Sequence, residues 1–93
     1  MKIEYDPAKS KKNEKERDLP FSMAADFDFE TAVIVPDVRK DYHEDRIVAV
    51  GYLHCRLHVL CFTPTRAGIR VISFRKANRR EAIRHEKPLT IDE

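Results

Sequence analysis

Residues 46–75 read RIVAVGYLHCRLHVLCFTPTRAGIRVISFR. Within them Arg46–Leu53, Arg56–Thr63 and Ile69–Arg75 are rich in Val, Ile, Phe and Tyr, the side chains that suit a pleated, half-buried surface. Only His54 and Cys55 separate the first two runs, so the chain must reverse there in a two-residue hairpin, although the usual Asn-Gly signal is missing. Between the second and third, Thr63-Pro64-Thr65-Arg66-Ala67-Gly68 is a conventional turn. Connections this short allow only antiparallel pairing. An antiparallel meander is predicted, with Thr31–Val35, ended by Pro36, as its first strand.

Outward from this meander the period changes. Lys2–Tyr5 reads as a short strand. Asp6 and Pro7 then supply an N-cap and first-turn proline for a helix to about Arg17. Ala8 is almost its only apolar residue, so its ends, or lysine stems lying over the sheet, must hold it. Phe21, Ala24, Ala25 and Phe27 recur near helical spacing after Pro20, which predicts a second short helix. The link from Asp37 to Asp45 is polar and charged. Asn78 can cap a last helix from Arg79 to about Lys87, stopped by Pro88, and residues 88–93 are expected to be a loose tail. The predicted class is α+β, in the order β-α-α-β-β-β-β-α: two N-terminal helices and one C-terminal helix on a mainly antiparallel sheet. Helices are expected on one face, leaving the other for a ligand.

Ninety-three residues suffice for one core, so a single domain over 1–93 is expected. At 42% hydrophobic and 37% charged, the chain has too many Val, Ile and Leu runs to be disordered. It has no apolar stretch of bilayer length, and Met1-Lys2-Ile3-Glu4-Tyr5 has no signal-peptide character, so a cytoplasmic protein without a membrane is expected. The net charge of +2 conceals an asymmetry: 66–87 holds eight Lys or Arg against two Glu, while 1–65 holds ten against twelve. Basic charge gathered in the last strand and helix draws a polyanion through counterion release, and equally serves as a solvated helix face.

Several segments together resemble the BrnT family. They are Glu4-Tyr5-Asp6-Pro7-Ala8-Lys9-Ser10 with Asn13, Ala49-Val50-Gly51-Tyr52, Arg56-Leu57-x-Val59, and Gly68-Ile69-Arg70-Val71-Ile72-Ser73-x-Arg75-Lys76-Ala77 with Glu81. The resemblance implies a fold related to the RelE-type ribonucleases and metal-independent RNA cleavage that inhibits translation. It also implies a BrnA-like antitoxin partner carrying the DNA-binding domain, so that operator DNA is reached only through the antitoxin. Three positions depart from the family pattern: Glu16-Arg17-Asp18 replaces Lys-His-Gly, Phe74 replaces Ala, and His85 replaces a tyrosine.

Metal-free cleavage of RNA needs a base for the ribose 2′-hydroxyl, an acid for the departing 5′-oxygen, and fixed positive charge around the phosphorane-like transition state. Arginine suits the last task, its planar fork being always charged and bidentate. Simple alternation puts Val71, Ser73 and Arg75 on one strand face and Arg70, Ile72 and Phe74 on the other. Arg70 suits phosphate and a surface ion pair equally; Arg75, at the strand end, favours phosphate. His85 is the candidate proton carrier, since an imidazole titrates near pH ~6.5. Glu81, one turn earlier, can orient it or pair with Arg84. The expected catalytic set is Arg70, Arg75, His85 and Glu44, with Arg46, Ser73, Lys76, Arg79 and Arg80 binding phosphate.

No metal or cofactor is expected. His54 and His58, four residues apart in extended chain, lie roughly 13 Å from one another, too far to share one zinc. Cys55 and Cys61, roughly 20 Å apart on the same reckoning, cannot form a disulfide and read as ordinary thiols in an apolar strand. Two rival readings remain: a catalytically degenerate member acting only as antitoxin partner and corepressor, and a direct nucleic-acid binder using the basic final segment.

Overall fold

The computed structural model describes residues 1–38 and 43–92; the middle of the Asp37–Asp45 link and Glu93 lie outside the described residues. Its elements are β1 (Lys2–Glu4), α1 (Pro7–Arg17), a 3₁₀ helix (Phe21–Asp26), β2 (Val33–Pro36), β3 (Ile47–Leu53), β4 (Arg56–Pro64), β5 (Gly68–Lys76) and α2 (Arg79–Arg84). The fold is mixed α+β, built on a five-stranded sheet in the order β1-β5-β4-β3-β2. Strands β2 to β5 form the antiparallel meander, whereas β1 lies parallel to β5, with Lys2 opposite Gly68. Gly68 permits this: a Cβ there would collide with the backbone of Lys2.

The hairpin between β3 and β4 closes as Leu53 opposite Arg56. His54 and Cys55 both take positive φ, 48° and 69°, the condition of a type I′ turn, which Asn-Gly normally meets. Because Cys55 stands in this turn, it does not share a strand with Cys61, as the sequence reading had it; neither cysteine forms a disulfide.

Strand β5 departs from simple alternation. Val71 pairs with Phe62 and Ser73 with Cys61, so Ile72 is an extra residue in a bulge. Phe74 therefore joins Ile69 and Val71 in the main core. Arg70, Ser73 and Arg75 turn to the opposite face, and the expected grouping of Arg70 with Phe74 is corrected.

One face of the sheet packs Ala49, Leu60, Phe62 and Phe74 against Leu19, Phe21, Ala24 and Phe27. Phe27 meets Phe29 and Phe74 edge to face at 4.9 and 6.1 Å between ring centroids. The other face is not left bare: Val50, Tyr52, Leu57 and Val59 pack against Ala77 and Ala82, so α2 covers part of it. Helix α2 ends at Arg84, a turn short of the expected Lys87, with His85 at its C-cap. Nor is the tail loose. Leu57 N–H donates to Leu89 O at 2.8 Å, Ile91 N–H to Cys55 O at 2.9 Å, and the Tyr52 hydroxyl to Pro88 O at 2.8 Å.

Helix α1 is held from its middle. The backbone N–H of Phe21 donates to the buried Ser10 hydroxyl at 2.9 Å, and Asn13 Nδ2 donates to the carbonyls of Leu19 and Phe74 at 2.7 and 2.9 Å. Two polar side chains thus do what an apolar stripe does for other helices. The helix closes on Asp18 with φ 55°, a left-handed position that glycine usually fills.

Candidate active site

On the α2 face, a cleft of about 380 Å³ opens beside the helix. Val48, Val50, Val59 and Cys61 form its apolar floor, Val35 and Pro36 one wall, and Ser73, Arg75, Arg84 and His85 its polar rim. The bulge at Ile72 delivers Ser73 and Arg75 to this side, and α2 delivers His85.

Arg75 is clamped. Its Nη1 donates to Glu81 Oε1 at 2.8 Å and its Nη2 to Oε2 at 2.7 Å. The same carboxylate closes a capping box at the start of α2: Asn78 N–H donates to Glu81 Oε1 at 2.9 Å, and Glu81 N–H to Asn78 Oδ1 at 2.8 Å. The guanidinium hydrogen bonds, more than any other influence, hold Glu81 down to a pKa of about 2. A carboxylate of that strength does not take a proton at neutral pH; it serves as a fixed anion that aims the arginine. Glu81 was expected to serve His85 or Arg84, and its side-chain partner here is Arg75. The half-buried His85 donates its backbone N–H to Glu81 O at 3.1 Å.

A second cluster lies on the same face towards the other end of β5. Glu44 sits between Arg46 Nε, at 3.4 Å, and Arg70 Nη2, at 3.8 Å. Arg70 and Arg75 are five residues apart, at most roughly 16 Å at about 3.3 Å per residue. They share a face without converging on one point.

The remaining expected residues lie elsewhere. Lys76 follows Arg75 but turns to the opposite face, where it lines a cleft with His58, Arg17 and Arg56. Arg79 borders a shallow apolar hollow with Ile83 and Pro88, and Arg80 is exposed on the first turn of α2. Among the described residues, no group of three or more His, Cys, Asp or Glu is placed to hold a metal ion.

Sequence reasoning missed the Arg75–Glu81 clamp, although Asn78-x-x-Glu81 carried the capping-box signal that fixes where Glu81 points. It also missed His58 as a cleft residue. A histidine inside an apolar strand gives no warning that its ring will line an opening.

These features define a small α+β protein with an arginine–carboxylate clamp at the mouth of an apolar-floored cleft. Residues 5–81 match the family described as ribonuclease toxin, BrnT, of type II toxin–antitoxin system, and the chain belongs to that family. The match includes Arg70, Arg75 and Glu81 and stops short of His85. No curated protein matches the chain. Membership of a type II toxin–antitoxin family implies an antitoxin protein as partner. No helix among the described residues is long and apolar enough to cross a membrane.

Proposed function

We propose that this chain is an endoribonuclease toxin of RelE-like architecture that cleaves RNA without a metal and so inhibits translation in the cytoplasm. Arg75, aimed by Glu81, binds the scissile phosphate and balances the charge that grows on its oxygens. Ser73 adds a hydroxyl donor at the same rim. His85 takes the proton of the ribose 2′-hydroxyl as its oxygen attacks phosphorus, then returns it to the departing 5′-oxygen. The products are a 2′,3′-cyclic phosphate and a free 5′-hydroxyl.

Arg70 and Arg46, held by Glu44, bind a different phosphate of the same strand, because ~16 Å of strand separates Arg70 from Arg75. Lys76, Arg79 and Arg80 add positive potential outside the cleft. A BrnA-like antitoxin neutralises the toxin, and operator DNA is bound only through that partner.

The observation that supports this most is the bidentate clamp beside His85 at the rim of a cleft. It preorganises positive charge, and preorganised charge is usually the largest single contribution to catalysis. The experiment is expression of the chain alone in bacteria. Growth arrest that Arg75→Ala abolishes, with the variant still folded, supports the ribonuclease; a harmless wild-type protein overturns it. The second outcome would favour the degenerate corepressor.

A further inference from the structure

A second cleft among the described residues is larger than the one beside Arg75. It measures about 550 Å³, lies on the opposite sheet face at the end of α1, and is lined by His58, Arg17, Arg56 and Lys76, with Leu19, Met23 and Leu53 as its apolar part. His58 is only 4% exposed. Its Nδ1 lies 2.7 Å from Arg56 O. A carbonyl oxygen only accepts, so Nδ1 carries the proton, and Nε2 is left as a lone-pair acceptor. Nε2 has no hydrogen-bond partner among the described residues.

A groove of about 300 Å³ between α1 and β5 shares lining residues with both clefts. Ser73 and Arg75 line both the groove and the α2-side cleft, while Glu16 and Arg17 line both the groove and the His58 cleft. Lys9 and Lys12, both exposed, face it from α1. The groove exists because β1 covers only Gly68–Arg70, leaving the later half of β5 as an open edge beside α1. Cations Lys9, Lys12, Arg17 and Lys76 follow one another along this path, against the rim carboxylates Glu16 and Asp18.

We infer that an RNA strand bound at Arg75 continues over the open edge of β5 along α1 and seats one unstacked base in the His58 cleft, donating an N–H to Nε2. This rests on the ribonuclease reading and extends it to a recognition subsite. Lys9, Lys12 and Arg17 hold backbone phosphates, while Leu19, Met23 and Leu53 receive the face of the base. A base fits the inner cleft better than a phosphate does, because burial lowers the pKa of His58 and keeps the ring neutral. A neutral acceptor gains nothing from an anion. For the same reason an acidic protein segment suits the groove but not the cleft at its end.

The test uses a single-stranded RNA oligonucleotide, 2′-O-methylated so that it carries no attacking hydroxyl. Replacing Lys9, Lys12 and Arg17 together by glutamine leaves the exposed face of α1 intact in shape. The expected result is weaker binding, with the slope of log affinity against log salt reduced by about 2, at about 0.7 per lost phosphate contact. In the wild type, the ¹⁵N resonance of His58 Nε2 should move when the oligonucleotide is added. An unchanged slope, or a stationary resonance while Arg75→Ala weakens binding, overturns the subsite and leaves the ribonuclease reading standing. Loss of antitoxin affinity with RNA affinity unchanged assigns the groove to a protein and overturns it as well. A wild-type protein that neither binds the oligonucleotide nor arrests growth removes both.

Discussion

Arg75 and Glu81 are joined by two parallel hydrogen bonds of 2.8 and 2.7 Å, and the same carboxylate caps the helix that carries His85. One residue therefore sets both the direction of the Arg75 fork and the start of α2. Glu81→Gln keeps the shape but surrenders the anion. It is expected to cost about 1–2 kcal/mol of stability, in keeping with loss of one charge-assisted, partly exposed pair. RNA cleavage should fall at least tenfold. Arg75→Lys should not restore the function of Arg75→Ala, because an ammonium cannot reproduce the fork. Denaturant unfolding and single-turnover cleavage measure the two effects separately.

The acid limb of stability follows from the same pair. A carboxylate held at about 2 in the folded state and near 4.5 when unfolded contributes stability that is present above pH 4.5 and is lost as pH falls towards 2. His58 has a pKa below its usual 6.5 when folded, so the unfolded chain takes up its proton first, and stability also declines as pH drops below 6.5. Urea midpoints across pH 3–8 should show both declines. Glu81→Gln should flatten the lower one and His58→Phe the upper one; a curve unmoved by either variant refutes the assignment.

His85 stands at the C-cap of α2 and on the cleft rim. Replacing it by tyrosine should preserve substantial cleavage, whereas phenylalanine should remove most of it. The pH–rate profile of His85→Gln decides the role: if its acid limb matches that of the wild type, another group carries the proton.

Asp18 ends α1 at φ 55°. Glycine adopts this conformation at less cost, so Asp18→Gly is expected to stabilise the protein by about 0.5–1 kcal/mol. Thermal unfolding should register a rise of a few degrees.

Phe74 is 1% exposed, with its ring 6.1 Å from Phe27 and 5.5 Å from His58. Replacing it by alanine should cost about 3–5 kcal/mol, since the surrounding aromatic rings cannot collapse into the space. Equilibrium denaturation of Phe74→Ala checks this.

The meander was legible because turn residues and β-branched runs act locally: Pro64 and Gly68 punctuate β4 and β5 whatever the rest of the chain does. The parallel pairing of β1 was not, since nothing near Lys2 announces that Gly68 will accept it. The facing of β5 failed at a single residue, because a bulge leaves no mark on a period-two pattern. For the site, the basic end of β5 and the capping signal Asn78-x-x-Glu81 were visible, and Arg75, Ser73 and His85 do meet at one cleft. Lys76, one residue further, turns away. The cleft around His58 is assembled from α1, the hairpin and two strands, a conjunction that no local window contains.

The bulge at Ile72 bears also on the exposed edge of the sheet. Beyond Arg70, the outer side of β5 has no neighbouring strand among the described residues, and a flat edge of that kind invites the sheet of another molecule to stack on and extend into a ribbon. The register shift at Ile72, with Asn13 already occupying the carbonyl of Phe74, makes this edge a poorer template for such stacking.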